Sequence, residues 1–122
     1  MEKIKVRRIK NNAKILIIGM GYKKNIDDMR ESPSIPIIKA LKKKNHTISY
    51  SDQYIKKIPK IKNFDIKLKN IKINEKNLSK FDCALILADH DYYDYKKILK
   101  FSKIIFDTRF AYKKKYKKVV RI

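Results

Sequence analysis

Cysteine, glycine and acidic residues are scarce in this chain of 122 residues, and each shortage excludes a class of protein. The single cysteine, Cys83, excludes an internal disulfide framework and is compatible with a reducing compartment. No apolar run approaches the ~20 residues of a membrane span, and no apolar core follows the basic start Met1–Arg8. We therefore expect one cytoplasmic domain with a normal hydrophobic core, and neither a secretion signal nor a membrane partner.

The shortage of acidic residues leaves a formal net charge of +21, from 33 Lys and Arg against 12 Asp and Glu. Such an excess is the electrostatic footprint of nucleic-acid binding. However, 28 of the 33 cations are lysine, which suits bidentate readout less than arginine, and they are spread along the whole chain. Lysine also has A/T-rich codons, so genome composition alone can raise its number. We therefore expect nucleic acid to bind only non-specifically, at low salt.

The order of apolar segments predicts a doubly wound α/β fold. Strands are predicted at 14–19, 47–51, 83–88, 103–107 and 118–122, the last at an edge of the sheet. Helices are predicted at 33–44 and 94–101, with one helical turn at 75–80 and a loop pinned to the core at 53–74. Because strands and helices alternate, the crossover rules give a Rossmann-like, three-layer domain with a mostly parallel sheet of about five strands. The domain covers residues 13–122 and follows a basic tail, residues 1–12.

The first predicted strand runs into a cation-rich loop that ends at a helix start. Ser32 is placed to cap that helix and Pro33 suits its first position. Free N–H groups and the helix dipole face the loop, which predicts a site for a phosphate ester. Gly19 and Gly21 match the dinucleotide fingerprint G-x-G-x-x-G poorly, because Lys24 stands at the third glycine. We therefore expect no self-contained NAD site, since glycines also ease a tight strand-to-loop turn.

Three segments resemble the C-terminal, UDP-binding domain of the UDP-glucose/GDP-mannose dehydrogenase family. They read YKKNIDDMRESPS from Tyr22 to Ser34, FDCALILADHD from Phe81 to Asp91, and IFDTRFAYK from Ile105 to Lys113. The resemblance extends roughly from Ala13 to Ile122. The amino-acid sequence of these segments is most similar to the UDP-N-acetylglucosamine 6-dehydrogenase branch. All three segments begin at or run into the carboxyl end of a predicted strand, which is where open α/β sheets bind ligands.

The resemblance implies roles for four residues. Tyr22 and Lys23 match an aromatic–lysine pair that contacts the nucleotide sugar, and Arg109 matches an arginine that touches the substrate. Arg30 matches an arginine that reaches the NAD held by another domain. The alternatives are a solvated lysine beside a packed tyrosine, and for Arg30 an ion pair with a neighbouring carboxylate. Lys23 suits a diphosphate as a point charge, and a guanidinium at Arg109 suits a phosphate or a uracil edge.

Two further groups have structural interpretations. Asp89-His90-Asp91 could suggest a metal or a general base, but His46 is the only other histidine, so we favour a hydrogen-bonded turn and expect no metal. Cys83 starts a strand and is expected to be a small buried hydrophobe. The nucleophilic cysteine of the resembled family belongs to a domain that does not match this chain.

The resemblance implies an NAD-dependent enzyme that oxidises the 6-hydroxymethyl of a UDP-sugar to a carboxylate, through a cysteine-bound thiohemiacetal, to make UDP-uronic acids for surface polysaccharide. We expect this chain to be a detached or truncated UDP-sugar-binding domain, inactive alone. Its expected partners are a UDP-sugar and the missing N-terminal dehydrogenase portion, or a subunit of the same family. The alternatives are a stand-alone nucleotide-binding or interaction module without catalysis and, less favoured, a basic nucleic-acid binder.

Overall fold

A computed structural model describes residues 11–21, 32–61 and 63–122. Within these ranges, the strands are β1 Lys14–Ile18, β2 Thr47–Ser51, β3 Cys83–Ile86, β4 Ile105–Asp107 and β5 Val119–Arg121. The helices are α1 Ser34–Lys43, α2 Glu75–Leu78 and α3 Tyr95–Phe101. The predicted alternation of strands and helices is therefore confirmed. Of the predicted basic tail, only residues 11 and 12 fall within the described ranges.

The strands form one sheet in the order β2-β1-β3-β4-β5, and every neighbouring pair in it is parallel. The prediction of a mostly parallel, five-stranded, Rossmann-like sheet with the last strand at an edge is confirmed. The predicted strand 83–88 was too long. The N–H of Leu87 makes the last ladder bond, to the carbonyl of Ile18, and the N–H of Ala88 turns to the same carbonyl, so β3 ends at Ile86. The predicted starts of the last two strands, at 103 and 118, were too early, because β4 begins at Ile105 and β5 begins at Val119. The predicted end of the last strand, at 122, was one residue too late.

Helices cover both faces of the sheet, which gives the predicted three layers. Alternate residues of the buried strands point to opposite faces, so β1 supplies a side chain to each core in turn. On one face, Ile15 and Ile17 pack with Ile38 and Leu41 of α1. On the other face, Leu16 and Ile18 of β1 pack with Leu78 of α2 and Ile98 of α3.

Helix α1 has a hydrogen-bonded start and stop. It begins at Ser34, one residue later than predicted, so Pro33 is the N-cap residue and not the first helical residue, and Ser32 precedes the cap. The Ser32 Oγ nevertheless accepts the Ser34 backbone N–H at 3.1 Å. At the other end Asn45 takes the left-handed conformation, with φ +65°, as the predicted stop residue. The N–H groups of Asn45 and His46 then donate to carbonyls of the last turn, in the pattern of a Schellman motif.

The described residues 53–61 and 63–74 run over the core without a long helix or strand, as predicted. Ile55 and Phe64 are buried, and an isolated parallel bridge joins Tyr50 to Asn70. The Asn70 side chain accepts the N–H of Asp52 and donates to its carbonyl, at 3.1 and 3.0 Å. These contacts hold the segment against the end of β2.

Candidate functional site

The carboxyl ends of β1, β3 and β4 lie side by side at one edge of the sheet. The N–H of Leu87 donates to the carbonyl of Ile18 at 2.9 Å, and the N–H of Thr108 donates to the carbonyl of Ile86 at 3.3 Å. The connections from β1 and β3 lead to opposite sides of the sheet, because β1 is followed by β2 on one side and β3 is followed by β4 on the other. The topological switch point therefore lies between β1 and β3. Open α/β sheets bind ligands in the crevice at such a switch point.

Gly19 allows β1 and β3 to approach each other closely at this edge. Its φ is +86°, and a Cβ added there would lie 2.6 Å from the Cβ of Ala88 and 2.7 Å from its carbonyl oxygen. Both the backbone conformation and the space therefore require glycine. Gly19 is therefore explained by its backbone conformation and by its packing against Ala88, as expected of a glycine at a tight strand-to-loop turn.

Asp107 shapes the loop that presents Arg109. Its carboxylate accepts the backbone N–H groups of Arg109, Ala111 and Tyr112 at 3.0–3.1 Å. The Thr108 hydroxyl donates to the carbonyl of Ile86 at 2.6 Å and pins the loop to β3. Because Asp107 is buried and its oxygens are occupied by N–H groups, it serves the loop rather than the ligand.

The Arg109 guanidinium projects into an open groove of about 380 Å³. Its Nε lies 3.7 Å from Oδ1 of Asp89, a loose ion pair, and 40% of the side chain stays exposed. The groove is lined by Asp89, Asp107, Thr108, Arg109, Phe110, Arg121 and Ile122. A guanidinium in this setting can bind a phosphate or a carbonyl edge in bidentate geometry. The predicted meeting of the loops that follow β3 and β4 is therefore observed.

The other predicted ligand residues, Tyr22, Lys23 and Arg30, lie outside the described residues. The chain on either side of them is held firmly. The N–H of Met20 donates to Asp52 Oδ2 at 2.8 Å, while its carbonyl accepts the hydroxyls of Ser32 and Ser34 at 2.7 and 2.6 Å. These buried bonds join the end of β1 to the start of α1.

Asp52 is the centre of a second buried network, at the end of β2. Its Oδ1 accepts the N–H groups of Tyr54 and Ile55 at 2.8 and 3.0 Å, and Nε2 of His90 lies 3.5 Å from its Oδ2. Burial raises the pKa of this carboxyl, but the hydrogen bonds from His90 and from the backbone N–H groups outweigh it and lower the pKa below its ordinary value. Asp52 is therefore a carboxylate that orders three loops.

His90 is fully buried between aromatic rings rather than open to a ligand. Its ring stacks on Tyr92 at 5.5 Å between centroids, and Tyr54 lies 5.0 Å away. The His90 carbonyl accepts the Tyr93 N–H and the Tyr95 hydroxyl, so the predicted hydrogen-bonded turn is confirmed. In the described part of the chain no three His, Cys, Asp or Glu side chains are grouped as metal ligands would be.

Cys83 is buried in β3, with 2% of its surface exposed, as predicted. Burial, with a smaller contribution from the charge of Asp82, raises the pKa of the thiol to about 12. A thiol with that pKa is not an activated nucleophile at neutral pH. This agrees with the interpretation of Cys83 as a packing residue.

Sequence reasoning did not assign site roles to Asp52, Asp107 or Arg121. The signal for the two aspartates was present, because each follows or ends a buried strand just before a loop, where a carboxylate can accept loop N–H groups. Arg121 had no such signal. Its contacts depend on the path of residues 108–118, which the sequence pattern does not specify.

Within the described residues, no helix is long and apolar enough to span a membrane.

Solved structures with the same fold support this architecture. A UDP-D-ManNAc dehydrogenase from Pyrococcus horikoshii superposes with a TM-score of 0.63 over 98% of this chain and 27% of that chain, at 23% identity. The UDP-N-acetyl-mannosamine dehydrogenase Cap5O from Staphylococcus aureus superposes with a TM-score of 0.62 over 89% of this chain, also at 23% identity. At 23% identity, these superpositions show that the two enzymes contain the same fold as this chain.

Sequence relatives extend the comparison. The UDP-N-acetyl-D-mannosamine dehydrogenase of Methanococcus vannielii is 32% identical over 105 residues, which cover 79% of this chain and 22% of that protein. The NDP-N-acetyl-D-galactosaminuronic acid dehydrogenase of Ralstonia nicotianae is 32% identical over 107 residues, or 84% of this chain and 24% of that protein. The chain thus spans about a quarter of the length of these relatives.

The family itself is defined by a match over most of the chain. Residues 16–114 match the UDP-binding domain of the UDP-glucose/GDP-mannose dehydrogenase family. The matched range contains most of β1, all of β2 to β4, the loops after β3 and β4 that line the groove, and Arg109. The chain therefore belongs to the UDP-glucose/GDP-mannose dehydrogenase family, and it contains that family's UDP-binding domain.

Proposed function

We propose that this chain binds the UDP part of a UDP-N-acetylhexosamine and serves as the UDP-binding part of an NAD-dependent UDP-sugar 6-dehydrogenase. The observation that carries the proposal is the position of Arg109, which projects from a loop fixed by Asp107 into an open groove at the strand ends. An anionic diphosphate suits a groove whose exposed groups include this guanidinium, in a chain with a net charge of +21.

The roles of these residues follow from the family resemblance and, for Arg109, also from its position in the groove. Arg109 binds a phosphate oxygen or the uracil edge, Lys23 binds the diphosphate as a point charge, and Tyr22 packs against the substrate. Asp89 orients Arg109 through the loose ion pair, and a bound phosphate would compete for the same guanidinium. Arg30 reaches toward NAD held by another part of the enzyme.

The sugar is proposed at the level of its class. The relatives from Methanococcus vannielii and Ralstonia nicotianae are named for N-acetylmannosamine and N-acetylgalactosaminuronic acid, which are both N-acetylhexosamine derivatives. The assignment to the UDP-N-acetylglucosamine 6-dehydrogenase branch, which the three segments suggest, stays a prediction. The product would be a UDP-uronic acid of the kind used in surface polysaccharide.

NAD and the nucleophile are proposed to come from a dehydrogenase portion outside this chain. When bound, NAD would accept a hydride in each of the two oxidations that convert a 6-hydroxymethyl to a carboxylate. This chain would hold and orient the nucleotide end of the substrate. The buried thiol of Cys83 supports a nucleophile from outside this chain, since a thiol that is protonated at neutral pH cannot form the thiohemiacetal.

UDP titration followed by NMR or calorimetry tests the binding proposal. We expect weak binding near the millimolar range, roughly −4 kcal/mol, because only part of the full site is present. Lys23→Ala and Arg109→Ala should each weaken it about tenfold. Lys96→Ala removes the same charge from the exposed side of α3 and should leave it unchanged. Equal losses in all three variants would indicate general charge attraction and contradict a specific site.

Enzyme activity tests the second part of the proposal. The purified chain should produce no NADH from NAD and UDP-N-acetylhexosamines, whereas adding the N-terminal portion of a family member in trans should give turnover that Arg109→Ala largely removes. NADH production by the chain alone, retained in Cys83→Ala, would contradict the proposed division of the enzyme. A stand-alone nucleotide-binding module would bind UDP but gain no turnover from any added portion.

A further inference from the structure

The Arg109 loop has an unusual path, because residues 108–118 join two parallel strands without a helix in the described structure. Such a connection has few backbone hydrogen bonds of its own, so its shape must be set by side chains. Asp107 satisfies three of its N–H groups, as described above. Its carbonyl groups need a separate donor.

Arg121 is that donor. Its Nη2 lies 2.9 Å from the carbonyl oxygens of Tyr112 and Lys113, and 3.2 Å from that of Lys114. Arg121 ends β5 and stands opposite Asp107 in the register of the β4–β5 pair. The two residues therefore hold the loop from adjacent strands, one through N–H groups and the other through carbonyl groups.

The same guanidinium also contacts Phe110, the residue that follows Arg109. Phe110 has φ +56°, which is unfavourable for a bulky side chain, and 49% of its surface is exposed. The Cζ of Arg121 lies 4.5 Å from the centre of its ring, and Nζ of Lys113 lies 4.4 Å from it. These cation–π contacts stabilise a backbone conformation that would otherwise relax and carry Arg109 with it.

We infer that Arg121 is a positioning residue for UDP binding: it fixes the loop that presents Arg109, and it acts through Arg109 rather than by contacting the nucleotide. The inference rests on the proposed function for the role of Arg109. Nη2 of Arg121 is already shared among three carbonyl oxygens, so that amino group has little capacity left for a phosphate. Among the described residues, the Arg109 guanidinium has the loose ion pair with Asp89 and otherwise faces the groove.

The test is a double-mutant cycle on the full chain, with UDP as the probe. Arg121→Met should weaken UDP binding about tenfold in the wild-type background and less than about twofold in the Arg109→Ala background, because its effect passes through Arg109. Arg121→Lys should recover part of the affinity, since an ammonium can donate to the same carbonyl groups but does not stack on Phe110 as a planar guanidinium does. Lys96→Met is the matched control for loss of one positive charge.

Hydrogen exchange without UDP separates this inference from the proposed function. In Arg121→Met, the amides of Arg109, Ala111 and Tyr112 should exchange at least about tenfold faster while those of β1 and β3 keep their protection. Urea unfolding checks that the variant keeps its global fold. If Arg121→Met is not folded, Arg121→Lys takes its place in the cycle, with an expected loss of UDP affinity of about threefold.

The outcomes distinguish the two claims. Additive losses of Arg121→Met and Arg109→Ala would overturn the positioning role, because they would make Arg121 an independent contact. Unchanged exchange of the three loop amides would overturn it as well. Absence of UDP binding to the wild-type chain, with the loop amides nevertheless loosened by Arg121→Met, would overturn the proposed function and, with it, the assignment of this loop to UDP.

Discussion

At the scale of single residues, the carboxylates of the site order the backbone and the cations face the groove. Asp107 accepts three loop N–H groups, and Asp52 accepts three N–H groups from two segments of the chain. Arg109 keeps 40% of its side chain exposed beside a loose partner. A site arranged in this way suits an anionic ligand.

The one thiol of the chain gives a prediction at this scale. Because burial raises the pKa of Cys83 to about 12, almost none of it is thiolate at pH 8. The folded chain should therefore react with a disulfide reagent at least about 100-fold more slowly than the urea-unfolded chain, in which the pKa returns to the ordinary value of about 8.5. Spectrophotometric thiol titration measures both rates. Rapid labelling of the folded chain would contradict the buried position of Cys83 in β3.

At the scale of elements, the site is built where strands end and loops begin. The end of β1, the loop after β2 and the start of α1 are joined through Met20, whose N–H and carbonyl are both bound by buried side chains. This junction fixes the two ends of the segment that contains Tyr22, Lys23 and Arg30.

Removing the charge of Asp52 should weaken this junction. Asp52→Asn is expected to lower the free energy of unfolding at pH 7 by roughly 2–3 kcal/mol, because buried N–H groups lose a charged acceptor. Urea unfolding measures the change. The exposed residue Asp65 provides a control, since Asp65→Asn should have little effect.

The pH dependence of this loss follows from the lowered pKa of Asp52. A carboxyl whose pKa is lower in the folded state stabilises the fold above its unfolded pKa of about 3.9, and the contribution disappears as pH falls through the folded-state value. The difference between wild type and Asp52→Asn should therefore be full at pH 6–7 and shrink below about pH 4. A difference that grew with falling pH would contradict the network.

The sequence predicted the elements better than their connections. Apolar runs such as Ile15–Ile18 and helix signals such as Ser32 and Asn45 are local, and they placed the strands and α1 to within a few residues. The contacts of Asp52 with Met20 and of Arg121 with residues 112–114 depend on tertiary geometry. A single sequence gives the chemistry of those side chains but not their partners.

At the scale of the whole molecule, the chain combines a specific groove with a general positive charge. The net charge of +21 is spread over lysines throughout the sequence, while the groove contributes two arginines at one edge of the sheet. Salt screens dispersed surface charges effectively, because they are far from any one ligand group. Binding to polyanions and binding to UDP should therefore respond differently to salt.

Affinity for a mixed-sequence DNA duplex should fall at least about 100-fold between 50 and 200 mM salt, and two unrelated duplexes should bind equally. UDP affinity should fall much less over the same range, because a nucleoside diphosphate engages only a few charges. Fluorescence anisotropy for DNA and NMR for UDP measure the two slopes. A preference of tenfold or more for one duplex at 200 mM salt would instead support the nucleic-acid alternative.

The central claim is that UDP binds at the carboxyl ends of the strands, and mapping amide chemical shifts during a UDP titration of the wild-type chain tests it most directly. We predict that the largest shifts fall on residues 19–21, 89–91 and 107–110, around Gly19, Asp89 and Arg109, and that they saturate together with one dissociation constant. The groove lined by residues 56–61 and 64–68, on the segment after β2, contains several lysines, serves as an internal control and should shift little. Shifts concentrated on residues 56–68, or spread over lysines across the whole chain without saturation, would contradict the account.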